Sequence, residues 1–128
     1  MSKPILVSVV ESMLFPDYGD LYRQNALEEY RVNSIRKAIT LVKKYQPTFI
    51  VVEFFYAFST NYSGIYKSNI EVLLVSLIKH SPNTKIIVLA NKKEIQHVGV
   101  LDAVDYPLHG VLQLPTTTQQ MQALLHQA

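Results

Sequence analysis

The 128-residue chain contains no cysteine and no tryptophan, and only four glycines. Without cysteine it can form neither a disulfide framework nor a thiolate metal site. The apolar stretch that follows Pro4 is too short for a membrane span or for the core of a signal peptide. A chain of this length buries a core without covalent staples, so we expect a single domain over residues 1–128 in the cytoplasm, with no membrane contact.

Positive charge is missing from the C-terminal part of the chain. The formal net charge is +2, yet no lysine or arginine follows Lys93, and the charged residues beyond it are Glu94, Asp102 and Asp105. So small a net charge predicts no nucleic-acid partner. The basic residues Arg31, Arg36, Lys37, Lys43 and Lys44 follow two glutamates, and the sequence predicts that they form the solvated face of one helix.

Three continuous apolar runs, at 5–10, 48–54 and 85–90, predict central parallel strands that are covered on both faces. A weaker run at 110–114 predicts an edge strand that stops at Pro115, because proline cannot donate to a strand ladder.

Helical periodicity fills the intervals between these runs. Apolar residues at three- and four-residue steps from Leu27 predict an amphipathic helix that ends before Pro47. Further helices are predicted at 69–80, which has a near-continuous apolar centre and should be heavily buried, and at about 92–98 and 117–126. Pro16 and Gly19 make residues 12–22 poor helix material. The alternation predicts an α/β fold with a mostly parallel sheet of four or five strands, depending on whether 26–32 is a strand or part of the first helix.

Several segments resemble the receiver domain of bacterial two-component response regulators, a CheY-like family. KPILVSVVE resembles its opening strand, RKAITLVKKYQPTFIVVEFF its second helix and central strand, and HGVLQLP its last strand. The resemblance extends over nearly the whole chain. It implies a flavodoxin-like three-layer sandwich and a role in bacterial signalling.

The residues on which receiver chemistry depends are replaced here. Receivers transfer a phosphoryl group to an aspartate with a divalent metal that acidic side chains hold. The resemblance places Glu53 at the acceptor, Val9 and Val10 (or, in a shifted alignment, Glu11 and Ser12) at the acidic pair, Ala90 at the hydroxyl position, Leu114 at the lysine, and Pro115 at the closing proline. These replacements predict a degenerate pseudo-receiver without phosphotransfer, metal or cofactor.

The glutamate at position 53 has two interpretations. Its negative charge could imitate a phosphorylated state, or it could be a strand-end carboxylate that turns to solvent. The second is favoured, because Leu114 supplies no cation to read the charge. If Glu53 is buried instead, desolvation should raise its pKa.

Two regions are candidates for protein contact. The loop at 55–67 carries Tyr56, Tyr62 and Tyr66, which could bind a partner or fold down to plug the acidic pocket. The last helix is nearly uncharged and presents Met121, Leu124 and Leu125, and in receivers the corresponding face binds partners or a second copy. The alternative is that these three residues pack on their own sheet.

The sequence therefore favours a non-phosphorylatable receiver-like interaction module, which could act as a homodimer through the C-terminal helix face. A small-ligand sensor or vestigial enzyme that uses the cleft between 11–22 and 54–67 is the alternative. A conventional phospho-accepting regulator is a third, which the replacements disfavour. The chain shows no glycine-rich phosphate loop, no nucleophile with its base and no zinc-binding histidine pair, so enzyme activity is not expected.

Overall fold

The computed structural model describes residues 3–56 and 67–126. A five-stranded sheet, parallel throughout and in the order β2-β1-β3-β4-β5, runs through the centre of this region. The strands are β1 (Ile5–Val9), β2 (Glu28–Val32), β3 (Phe49–Glu53), β4 (Lys85–Ala90) and β5 (Gly110–Gln113).

Helices cover both faces of the sheet. They are α1 (Gly19–Gln24), α2 (Ile35–Tyr45), α3 (Glu71–His80) and α4 (Thr118–His126), with a 3-10 helix at Ile95–Ala103. One buried cluster joins α2, α3 and the 3-10 helix to the sheet, and the other joins α1 and α4 to the opposite face. The predicted flavodoxin-like three-layer sandwich is therefore confirmed, with five strands.

The three central strands carry most of the core. Every residue of β3 is buried, as are all residues of β1 and β4 except the first of each. A strand buried on both faces needs apolar side chains on both, which is why these segments are continuous apolar runs rather than alternating ones. The strand predictions made from those runs are confirmed.

The segment that begins at Glu28 is a strand and does not extend the following helix. β2 pairs with β1 from Ile5↔Glu28 to Val9↔Val32 and forms one edge of the sheet. Its helical spacing was misleading because an edge strand is partly exposed on both faces, so its pattern is not strictly alternating. Helix α2 starts after it, where the Ser34 hydroxyl accepts a hydrogen bond from the Lys37 amide at 3.2 Å.

Three helix predictions need correction. A short helix, α1, starts at Gly19 inside the segment judged poor helix material, and burial of Leu21 and Tyr22 stabilises it. The helix predicted at 92–98 is a 3-10 helix that starts at Ile95. α3 starts at Glu71 and is only half covered, because its outer face exposes Val72, Val75 and Ile78.

No helix in the described part of the chain is both long enough and apolar enough to cross a lipid bilayer.

Candidate functional site

Glu53 ends the central strand β3 at the carboxyl edge of the sheet, where open α/β folds place their binding sites. Its side chain is 0% exposed, so the expectation that it turns to solvent is wrong. Strand pairing sets it beside Leu89 of β4, and the next residue, Phe54, donates its amide to the Leu89 carbonyl at 2.7 Å. The acid is held inside because the strand remains paired to its last residue.

Ser12 partners the buried carboxyl group. Its hydroxyl donates to Glu53 Oε1 at 2.6 Å and accepts a hydrogen bond from the Leu14 amide at 3.2 Å. Glu53 Oε2 is buried as well, and it has no hydrogen-bond partner in the described part of the chain. Only half of this carboxyl group is therefore satisfied.

The Asn69 side chain forms hydrogen bonds to the backbone at the end of β3. Its amide nitrogen donates to the Glu53 carbonyl at 2.8 Å and to Glu11 Oε1 at 3.3 Å. Its amide oxygen accepts the Phe55 backbone N–H at 2.7 Å. This one side chain thus fixes both the end of β3 and the approach to α3.

Other acidic groups lie near Glu53 and strengthen the effect of burial. Desolvation raises the pKa of Glu53, the charge of Glu94 raises it further, and the bond from Ser12 opposes them. Burial also raises the pKa of Glu11, with the Asn69 bond opposing and the charge of Glu53 reinforcing. Burial of Glu53 thus raises its pKa, which is the direction expected for a buried carboxyl group.

Most residues at the aligned receiver positions are packed in the interior. Val9 and Ala90 are fully buried in the core, Val10 is half-buried, and Leu114 belongs to the opposite apolar cluster that also holds Phe15. Pro115 follows Leu114 through a cis peptide bond. Of the two alternatives for the acidic pair, Glu11 and Ser12 are the ones that lie at Glu53.

Positive charge does not reach this acid. The ion pairs of residues 3–56 and 67–126 involve Arg23 and Arg31 with other carboxylates, and none includes Glu53. Within the same residues, no three histidine, aspartate or glutamate side chains are arranged to hold a metal ion. The arrangement places a buried carboxyl group with one hydrogen-bond donor at the carboxyl edge of the sheet.

The C-terminal contact surface needs correction. Met121 and Leu125 are 0% and 5% exposed and belong to the core cluster, and Leu124 packs against that cluster while half-buried. Leu124 lies over Gly110, where a Cβ atom would come within 2.5 Å of its Cδ1. These residues face their own sheet, so a nearly uncharged helix did not indicate an exposed apolar face.

Only one of the three candidate tyrosines can be placed. The half-buried Tyr56 stacks on His97 with ring centroids 4.2 Å apart and planes 9° apart, and its amide donates to Glu94 Oε2 at 3.2 Å. Tyr62 and Tyr66, with most of one wall of the predicted ligand cleft, lie outside the described residues.

The basic residues do not share one helix. Arg31 lies on β2, where it pairs with Glu29 at 3.2 Å and Asp17 at 3.6 Å. The other four lie on α2, and all four are exposed.

Sequence reasoning missed Asn69 and Glu94 as members of this edge. The sequence shows Asn69 only as the first residue of a predicted helix, although a polar residue between a long loop and a helix is also suited to bond the strand end. Nothing in the local sequence signals that Glu94 lies near Glu53, because the fold brings the turn after β4 close to the end of β3.

The fold is that of receiver domains. The chain is similar to a response regulator receiver domain protein from Clostridium thermocellum, with a TM-score of 0.70 and 15% identity over 98% of this chain and 92% of that one. The receiver domain of AraT, a response regulator from Geobacillus stearothermophilus, gives a TM-score of 0.70 and 14% identity over 99% and 92% of the two chains.

A third similar structure is a response regulator from Burkholderia pseudomallei that contains a phosphorylated aspartic acid and a calcium ion, with a TM-score of 0.66 and 16% identity over 95% of this chain and 66% of that one. No family model and no curated protein matches the chain. The predicted likeness to receivers is thus confirmed at the level of the fold.

Proposed function

We propose that this chain is a receiver-fold module of bacterial signalling that accepts no phosphoryl group and acts in the cytoplasm through contact with other proteins. The observation that carries the proposal is the state of Glu53, which is fully buried, bonded to Ser12 and in no ion pair with the described residues.

Phosphoryl transfer to a carboxylate needs an ionised, accessible oxygen and positive charge beside the developing phosphate. Burial keeps the Glu53 carboxyl from solvent and raises its pKa, and no cation of the described residues pairs with it. The side chain at the lysine position, Leu114, is packed in the apolar core. A receiver scaffold without this chemistry still has surfaces that can bind other proteins, and we propose that such binding is its function. We also propose that the chain is not an enzyme.

Incubation with radiolabelled acetyl phosphate and Mg²⁺ tests the chemical half of the proposal. We expect no base-labile label on the full chain, whereas the Burkholderia pseudomallei response regulator, whose structure contains a phosphorylated aspartic acid, serves as the positive control for the donor. Label on this chain that disappears in Glu53→Gln would show that Glu53 accepts a phosphoryl group and would overturn the proposal.

A further inference from the structure

An open groove of about 680 Å³ runs between α2 and α3. Its apolar lining consists of Ile35 and Ile39 from α2 and Val72 from α3, and Glu11 and Asn69 lie at its end near the carboxyl edge of the sheet. The groove is on the opposite face of the sheet from α4. It is therefore separate from the surface that the receiver resemblance suggested.

Apolar surface continues beyond the groove along α3. Val75 is 42% exposed and lies one turn after Val72, and Ile78 is 46% exposed another turn on. Because these exposed side chains are three residues apart on one helix, they form a continuous apolar stripe. A contiguous apolar surface with a polar rim marks a contact site for another protein.

The wall of the groove that α2 forms is basic. Arg36 and Lys43 line it two helical turns apart, about 10 Å along the axis. Lys37 and Lys44 add charge to the same helix, which contains no acidic residue. Within residues 3–56 and 67–126 none of these four takes part in an ion pair. The positive charge beside the apolar floor is therefore not neutralised by the described part of the chain.

We propose that this groove is the docking site for an acidic amphipathic helix of a partner protein. The apolar face of that helix would lie on Ile39 and Val72, and carboxylates spaced two turns apart would face Arg36 and Lys43. Helix-in-groove recognition uses this combination of apolar anchors and charge complementarity. The inference rests on the proposed function, since it names the surface and partner chemistry of the binding module.

Charge and shape favour this occupant over two others. A second copy placed groove to groove would bring two unneutralised α2 helices together, and like charges repel at close range. Duplex nucleic acid would meet the basic wall but leave the apolar floor without a matching group. An acidic amphipathic helix satisfies both the wall and the floor.

Selection from a random-peptide display library against the immobilised full chain tests the proposal. We expect enriched peptides with apolar residues at helical spacing and acidic residues on one flank. Synthetic versions should lose affinity about tenfold or more on Arg36→Glu/Lys43→Glu and on Val72→Glu, measured by fluorescence anisotropy.

Matched variants away from the groove control for charge and burial. Lys92→Glu/Lys93→Glu reverses two exposed charges elsewhere, and Val111→Glu alters a valine on β5 that is 38% exposed, close to the 39% of Val72. Neither should change the affinity. A peptide whose acidic residues are replaced by lysine should regain binding to Arg36→Glu/Lys43→Glu.

Binders without acidic residues, or binders that only Val111→Glu weakens, would overturn the proposed docking site in the groove. They would leave the proposed binding function standing. A library that yields no binder would also overturn the proposed docking site. Label on Glu53 from acetyl phosphate would separately overturn the proposed function. Two further results would exclude a helix as the occupant: a concentration-dependent dimer in light scattering that Val72→Glu abolishes, or tighter binding of duplex DNA or anionic vesicles that Arg36→Glu/Lys43→Glu abolishes.

Discussion

Glu53 and Glu71 are both buried acids, and they differ in how many hydrogen bonds they receive. The Glu71 carboxylate accepts the Lys67 amide at 2.8 Å, the Ser68 amide at 2.6 Å and the Ser68 hydroxyl at 2.5 Å. Within the described residues, the Glu53 carboxyl group accepts one bond, from Ser12. Three donors stabilise a charged carboxylate, whereas one donor does not offset the cost of removing a charge from water. The neutral form of Glu53 is thus favoured by its surroundings.

The stability of the fold should depend on the ionisation of this group. Burial raises the pKa of Glu53 above its value of about 4.3 in the unfolded chain. The folded state then holds the proton more tightly, so its contribution to stability is complete below that unfolded value and is lost as the pH rises through the folded pKa. Relative to Glu53→Gln, the wild-type free energy of unfolding should therefore fall with rising pH, which urea denaturation at a series of pH values measures.

Glu28→Gln provides the control, because Glu28 is an exposed acid on the edge strand. It reports the effect of exchanging a glutamate for a glutamine at a site that is not buried. A difference between Glu53→Gln and wild type that does not change with pH would show that burial leaves the ionisation of Glu53 unaltered.

The sequence could locate this acid but could not show its surroundings. A strand-end glutamate at the carboxyl edge follows from the apolar run that precedes it. Its partner Ser12 lies 41 residues away in sequence, and the backbone carbonyl of Glu53 is held by Asn69 from 16 residues beyond it. Neither contact leaves a local signal, so the choice between a buried and an exposed carboxyl needed the folded structure.

At the level of elements, the predictable parts were those whose burial is complete. β1, β3 and β4 were visible as apolar runs because both of their faces are covered. β2 and α1 were ambiguous or missed. Pairing with β1 stabilises β2, and burial of Leu21 and Tyr22 stabilises α1. In both segments tertiary contacts outweigh a weak local preference for another structure.

The contact between β5 and α4 gives a test of packing at this scale. A Cβ atom on Gly110 would lie 2.5 Å from Leu124 Cδ1 and 2.7 Å from its Cδ2. We expect Gly110→Ala to lower the free energy of unfolding by about 1–3 kcal/mol, since overfilling a packed site forces neighbours to shift. Most of that loss should vanish in a Leu124→Ala background, as a double-mutant cycle in urea would show.

Gly99→Ala is the matched control, because a Cβ atom there meets nothing within 4 Å. It should change the stability far less than Gly110→Ala. An equal penalty for Gly110→Ala with and without the Leu124 side chain would mean that another contact is responsible.

For the molecule as a whole, the two buried clusters depend on one sheet. Val52 of β3 belongs to the cluster under α2 and α3, while its neighbour Val51 belongs to the cluster under α1 and α4. Strands β1 and β4 alternate between the clusters in the same way. Neither helical layer can keep its core if the central strands separate.

We therefore expect the chain to unfold as a single cooperative domain. Urea transitions followed by far-UV circular dichroism and by tyrosine fluorescence should coincide, since the first reports the helices and strands and the second reports tertiary packing. Two separated transitions would indicate that one layer unfolds independently, and the chain would then not behave as one domain.

The packing of Leu114 also limits the mutational routes open to this sequence. A lysine introduced there would place an ammonium group in an apolar cluster, and an unpaired buried charge is costly. An aspartate introduced alone at 53 would lose reach toward Ser12 and gain no cation. We therefore expect each of these changes made alone to give a less stable protein, so a variant with the receiver residues at both positions would require further changes around them.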